Sequence, residues 1–474
     1  MKRFLIAGFT LFGIGVSAQN AQYINSIPAY SNEINAGSAR YMGMGGSMGA
    51  LGGDISSIEQ NPAGLAIAIA SDANVTLGIN SYKNEARFGN SFDTDDNTVI
   101  FQNVGASFVF NTQAGAWNRF SIGVKFSQES IDNWIQLGRN QNITAIVTDE
   151  EDPDLITNYT MDGYVDEVAG YKTKMTLDFG ASYNDRVYLG LGLNLHEVLY
   201  DNYVVFAEDT QSANLNDVYY YDLDGSPYSS RGSGFSVSAG VIAKANDKLR
   251  FGLAYHSPTW FMNIEETFYA NLENVDGYNL YYGQYDRNSN SRLVASAGLI
   301  VGKSLALNAD YTLHINGTND LKPSSDFPNT NQFLDDNLKS SSEIRLGGEY
   351  RIDKFRVRAG YNFVQSIFDE TSINADFGTG TPSSQNISDL FVGDTNRFSI
   401  GAGYDFGGFY LDAAYQYQNQ KYNYLFGNGN YYDYDGGNLY YSAIMNQSLN
   451  NNYNYVAEVD NTKGMFLVTA GWQF

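Results

Sequence analysis

The sequence contains no cysteine, which excludes a disulfide framework, a thiol nucleophile and a thiolate metal site. Beyond the first 18 residues it has no run of about 18 apolar residues, which excludes an ordinary helical membrane protein. Basic residues are scarce, 28 Lys and Arg against 52 Asp and Glu, for a net charge of -24. That balance argues against nucleic acid and anionic lipid surfaces as partners. The plain source of the charge is acidic residues solvating long loops. There is no Ser-His-Asp order, no phosphate-binding loop and no spaced metal motif. Glu150-Glu151 and Asp335-Asp336 lie in loops and read as solvation. The expectation is therefore a protein that is not an enzyme, with no metal and no cofactor.

Aromatic residues, by contrast, are abundant. They make up 15% of the chain, with 37 Tyr and 29 Phe, while Gly reaches 48 and Pro only 8. Excess Tyr and Phe suits aromatic girdles at two membrane interfaces. The first 18 residues read as a cleavable secretory signal: Lys2 and Arg3, an apolar run from Phe4 to Val16, then Val16-Ser17-Ala18. The mature chain is expected to begin near Gln19.

From residue 73 onward the chain alternates with period two. Fourteen strands are expected: Asn74–Lys83, Phe101–Asn111, Arg119–Gln128, Lys174–Asn184, Val187–Leu199, Gly234–Lys244, Leu249–Pro258, Arg292–Val301, Leu305–Ile315, Glu343–Ile352, Phe355–Gln365, Arg397–Phe406, Phe409–Gln420 and Gly464–Phe474. Each is near the ~9–11 residues that a tilted strand needs to cross a bilayer. Short connections such as Asn184-Asp185-Arg186, Gly302-Lys303-Ser304 and Asp353-Lys354 carry the residues that tight hairpins need. They alternate with long ones at 84–100, 129–173, 200–233, 259–291, 316–342, 366–396 and 421–463. Short turns at one rim and long loops at the other mark an outer-membrane barrel, all-β and antiparallel.

The strands have faces. Leu189, Leu191, Leu193 and Leu195 oppose Gly190, Gly192, Asn194 and His196. Phe355, Val357, Ala359, Tyr361 and Phe363 oppose Arg356, Arg358, Gly360 and Asn362. In a barrel the apolar face meets lipid and the polar face lines the lumen. No strand is expected to be apolar on both faces. The closing Trp472-Gln473-Phe474 fits the aromatic terminus that outer-membrane assembly machinery reads.

Ahead of the strands lies GSARYMGMGGSMGALGGDISSIEQNPAGL, residues 37 to 65. Its glycines stand at 37, 43, 45, 46, 49, 52, 53 and 64. No regular helix or strand tolerates that density. Met42, Met44, Met48 and Leu51 supply apolar surface, Asn61-Pro62 favours a turn, and Asp54, Ser56, Ser57 and Asn61 are cap candidates. The segment reads as a plug enclosed by the barrel. The division expected is signal 1–18, plug 19–72 and barrel 73–474.

A signal, a Gly-rich segment ending in Asn61-Pro62-Ala63, followed by Gly64, and then amphipathic strands resembles the FadL/TodX family of outer-membrane channels. The resemblance implies passive uptake of hydrophobic small molecules such as long-chain fatty acids. It also implies exit sideways into outer-membrane lipid, through a gap at a kink in the third strand. Gly123 is the candidate kink. A second reading is a PorV-like barrel that docks exported proteins in secretion. A general hydrophilic porin fits less well, because a plug would obstruct it.

Inward charges on the tenth to thirteenth strands include Glu343, Arg345, Glu349, Arg351, Arg356, Arg358, Asp405 and Asp412. They read as a network bracing the wall and gripping the plug; the alternative is a ligand carboxylate anchored by Arg356 or Arg358. His196, His256 and His314 face the lumen on non-adjacent strands, so they read as unrelated rather than as a shared metal or haem site. Tyr219-Tyr220-Tyr221, Tyr281-Tyr282, Tyr431-Tyr432 and Tyr440-Tyr441 read as packing that closes the mouth, or as a capture or docking surface.

Overall fold

The structure, a computed structural model, describes residues 23–148, 156–212, 215–222, 226–271, 278–317, 319–428, 431–434, 438–441 and 454–474. The expected signal at 1–18 lies outside them. Fourteen long strands form the wall: β1 (Asp72–Phe88), β2 (Asn90–Ala114), β3 (Trp117–Ser130), β4 (Ile156–Tyr183), β5 (Val187–Ser212), β6 (Tyr228–Lys244), β7 (Leu249–His256), β8 (Ser291–Val301), β9 (Leu305–Ile315), β10 (Ser341–Ile352), β11 (Phe355–Val364), β12 (Thr395–Asp405), β13 (Phe409–Asn428) and β14 (Asn454–Gln473). Each pairs antiparallel with the next. β14 then pairs with β1, from Asp72↔Gln473 to Arg87↔Glu458, and closes the barrel. Closure leaves no unpaired edge, as a bilayer demands.

The wall is inverted relative to a soluble protein. Leu191, Leu193 and Leu195 are 63%, 53% and 62% exposed on the outside, while Gly190, Gly192 and Asn194 are buried within. An apolar exterior of this kind is stable only against lipid. No described helix is long and apolar enough to cross a membrane. The expected polarity fails where the wall meets the N-terminal segment, as at Ile100 of β2 and Ile242 of β6, and most clearly in β14. β14 turns Met465 and Leu467 inward, both buried, and Phe466 and Val468 outward. Its inner face is apolar because it meets the methionines of the N-terminal segment.

Tight turns join the strands at one rim. Asn184 and Asp185 both sit at φ 51°, and Asp353 at φ 54°, the left-handed conformations that such hairpins require. At the other rim the ladder runs well past the expected limits. β4 starts at Ile156 rather than Lys174, β5 continues to Ser212, and β14 starts at Asn454. Outside lipid the alternation of polarity is no longer imposed, yet backbone pairing persists.

The long connections fold as well. Trp260–Asn271 pairs with Tyr278–Asn288, Thr371–Asp376 pairs with Ser383–Ile387, and Pro328–Asn337 is a helix. Together with the strand extensions they enclose an apolar core containing Tyr164, Phe206, Phe268, Phe333, Phe368 and Phe426, all buried. This cap covers the long-loop rim.

Candidate functional site: a plugged waist beneath an apolar cap

The N-terminal segment enters at the cap and leaves at the short-turn rim, where Ser71 N donates to Phe474 O at 3.2 Å. Between them it is built from short turns: a helix at Ala39–Gly43 and 3-10 turns at Ile55–Glu59 and Pro62–Ile67. Each turn is capped by the residue before it. Ser38 Oγ accepts from Tyr41 N, Asp54 Oδ1 from Ser56 N, and Asn61 Oδ1 from Ala63 N. Gly45 and Gly46, at φ 64° and 73°, make the reversal that follows the helix.

The plug meets the wall at a belt of inward glycines. Gly190 and Gly240 lie against Asn61-Pro62-Ala63, Gly360 against Met44 and Gly45, and Gly298 against Ala50 and Leu51. A Cβ at Gly190 or Gly360 would overlap plug backbone, so only glycine permits this approach. Polar contacts fix the seat on several sides. Ala39 N donates to Thr469 Oγ1 at 2.7 Å, Ser47 Oγ to Asn308 O at 3.1 Å, and Asn61 Nδ2 to Val241 O at 3.2 Å. Met42, Met44 and Met48 are fully buried, and Leu51 nearly so, against Ile100, Met465 and Leu467.

Ion pairs grip the plug at three points, one of them Glu33 with Arg292 of β8 at 3.3 Å. Glu59 is buried between Lys125 of β3 and Lys174 of β4, the latter at 2.7 Å. Burial alone would raise the Glu59 carboxyl, but the two ammonium groups hold it well below the usual carboxylate range. Arg40 reaches Glu349 of β10 at 3.0 Å. Glu349 also accepts from Arg358 at 2.7 Å, and Arg358 donates to Asp412 at 2.6 Å. Arg356 pairs with Asp405 at 2.6 Å. Both expected carboxylate anchors are therefore held by wall carboxylates, near the short-turn rim.

The three histidines serve separate partners: Ser236 for His196, Gln60 O for His256 and Glu343 for His314. Gly123 is not a kink in this structure. β3 keeps continuous register through it with both neighbours, Ser107↔Gly123 on one side and Gly123↔Asp178 on the other. A Cβ there would meet Ile55 Cδ1 at 2.9 Å and Leu65 Cδ1 at 3.0 Å, so Gly123 belongs to the plug seat.

Sequence reasoning did not single out Glu59, Lys125 or Lys174. Period-two parity already turned both lysines inward, but nothing local named their partner. Loop packing that closes the mouth was expected, but not the part the N-terminal segment takes in it. There, Tyr23, Ile24, Ile27 and Tyr30 of the N-terminal segment are buried in the apolar core. Tyr23 packs edge-on against Tyr285 and Phe327 at 5.1 and 5.2 Å between centroids, and its hydroxyl donates to Glu266 at 2.8 Å. Of the tyrosine clusters, Tyr281 stacks on Phe268 at 5.4 Å, and Tyr282 is 76% exposed. The side chains of Tyr219–Tyr221, Tyr431, Tyr432, Tyr440 and Tyr441 lie outside those described.

No protein-family model matches the chain, and no curated protein matches it. Solved structures do. A Pseudomonas aeruginosa FadL homologue is similar over 94% of this chain and 100% of its own, at 14% identity and a TM-score of 0.55. The P. putida toluene transporter TodX is similar over 93% and 99%, at 12% identity and a TM-score of 0.53. The Ralstonia pickettii toluene transporter TbuX gives 93% and 99%, at 13% identity and a TM-score of 0.52. A closed 14-stranded barrel, matched along nearly its whole length, gives this chain the fold of the FadL and TodX outer-membrane channels.

Proposed function

We propose that the protein is an outer-membrane channel for passive uptake of hydrophobic small molecules, such as long-chain fatty acids. The observation that carries this reading is the juxtaposition of an aromatic, apolar cap with a plug seated across the lumen directly beneath it. An apolar cap offers a place to partition out of water, at about 25 cal/mol per Å² of buried apolar surface. A general hydrophilic pore fits neither feature. The fold is shared with proteins described as toluene transporters and as a monoaromatic hydrocarbon channel. In this reading residues 1–18 direct export, 19–72 form the plug and 73–474 the barrel, which outer-membrane assembly machinery inserts. The ligand passes when the plug shifts from its glycine belt; a kinked third strand is not part of the route. Uptake of a labelled long-chain fatty acid by cells expressing the protein tests this. Uptake should rise with the amount of folded barrel, judged by heat-modifiable gel mobility. Folded barrel without added uptake would refute it.

A further inference from the structure

Arg287 stands in the cap on the hairpin strand Tyr278–Asn288, with no exposed surface. It makes no ion pair among the described residues. Its neighbours are all neutral: Asn319 Oδ1 at 3.4 Å, Tyr23 O at 3.4 Å, Ser26 Oγ at 3.2 Å, and the Tyr30 ring with its centroid 5.3 Å from Cζ. Its Nη2 has no hydrogen-bond partner. The contrast with Arg358 is direct, because that buried guanidinium touches two carboxylates at 2.6 and 2.7 Å.

A buried charge without a counter-ion costs several kcal/mol. Even a buried ion pair can often be replaced by apolar residues of similar volume with no loss of stability. An arginine kept unpaired in an apolar core therefore has a use other than holding the fold. Burial draws the Arg287 guanidinium below its ordinary value, yet arginine stays charged. The surrounding apolar and aromatic side chains suit a hydrocarbon body, and the free Nη2 suits an anionic oxygen. A carboxylate brings the opposite charge and can accept from two guanidinium N–H groups at once, so it outcompetes the neutral Tyr23 carbonyl and Ser26 hydroxyl. Glu266 does not oppose this strongly. Burial raises its carboxyl, and it accepts from Tyr23 and Tyr228 rather than from Arg287.

We propose that Arg287 binds the carboxylate of an amphipathic acid whose hydrocarbon body replaces the residues Tyr23–Ser31 in the cap core. This rests on the uptake reading and narrows it: the cap selects apolar acids over neutral hydrocarbons, and the chain's own N-terminal segment occupies the site until an acid arrives. The occupant is recognised at the cap, well above Arg356 and Arg358.

Binding of hexadecanoate, hexadecan-1-ol and hexadecane to the full-length folded protein tests this. The acid should bind about 10- to 100-fold more tightly than the alcohol or the alkane, the range expected for a hydrogen bond to a charged group. Arg287→Met should abolish that preference and leave alkane binding unchanged, in a barrel that remains heat-modifiable. Arg287→Lys, which keeps the charge, should retain part of the preference and covers the case in which Arg287→Met does not fold. Equal binding of acid and alkane by the unaltered protein, or an acid preference that survives Arg287→Met, would overturn the proposal while leaving hydrophobic uptake intact. Failure of all three ligands to bind would overturn both.

Discussion

The waist and the cap solve opposite problems. At the waist, backbone meets backbone through glycine, and ion pairs join the plug to the wall: Glu59 to Lys125 and Lys174, Arg40 to Glu349, Glu33 to Arg292. In the cap, side chains do the packing, aromatic on aromatic, and the buried cation Arg287 has only neutral company. The difference separates holding from receiving. A close-packed waist, tied to the wall by ion pairs, specifies one position for the plug. A cap of rings and aliphatic groups, in which Arg287 has no counter-ion among the described residues, can exchange its contents at lower cost.

The largest effect that would sharpen this contrast comes from Glu59→Gln. It leaves Lys125 and Lys174 buried beside a neutral amide and should destabilise the folded protein by about 3–5 kcal/mol. The midpoint of heat-modifiable mobility reads this out. The pH dependence has a definite sign. The Glu59 carboxyl is depressed in the folded state, so its contribution is complete above the unfolded value of about 4.3 and is lost as pH falls below that, through the depressed value. Unaltered protein should therefore weaken in strong acid more than Glu59→Gln does. Parallel acid profiles would show that Glu59 does not hold the plug.

A smaller effect separates two neighbours in β10. A Cβ at Gly347 would stand 2.5 Å from Met44 O of the plug. Gly347→Ala should cost about 1–3 kcal/mol by overpacking. At Gly348 the Cβ points outward, and its closest neighbour is Leu307 Cδ2 at 3.0 Å, a flexible methyl. Gly348→Ala should be neutral or gain up to about 1 kcal/mol, because glycine weakens a strand interior. Equal tolerance at both positions would break the claim that the belt seats the plug.

What could be read in the sequence follows from which forces leave a local mark. Lipid imposes alternation on residues such as Leu189 to Leu195, so fourteen strands were legible, and β9 was bounded exactly as expected, Leu305–Ile315. The density of glycine between Gly37 and Gly64 marked an enclosed segment for the same local reason. Partners were not legible. Parity places Arg358 inward but cannot say that Glu349 and Asp412 already hold it. Gly123 looked like a place to bend a strand because a sequence shows the missing side chain and not the Ile55 and Leu65 side chains that fill its place. Arg287 lay in a stretch, 259–291, whose polar composition read as a solvated loop. Its burial arises from the fold of the cap and from Tyr23 to Tyr30, more than 250 residues earlier.

The central claim is that apolar ligands pass the waist only when the plug leaves its seat. The absence of native cysteine makes this directly testable. A Cβ at Gly43 would stand 3.6 Å from the Cβ of Ala414 on β13, within disulfide range. In a protein carrying Gly43→Cys with Ala414→Cys, oxidation should stop uptake of the labelled fatty acid, and reduction should restore it, with the barrel folded throughout. Undiminished uptake with the plug cross-linked to the wall would contradict the account.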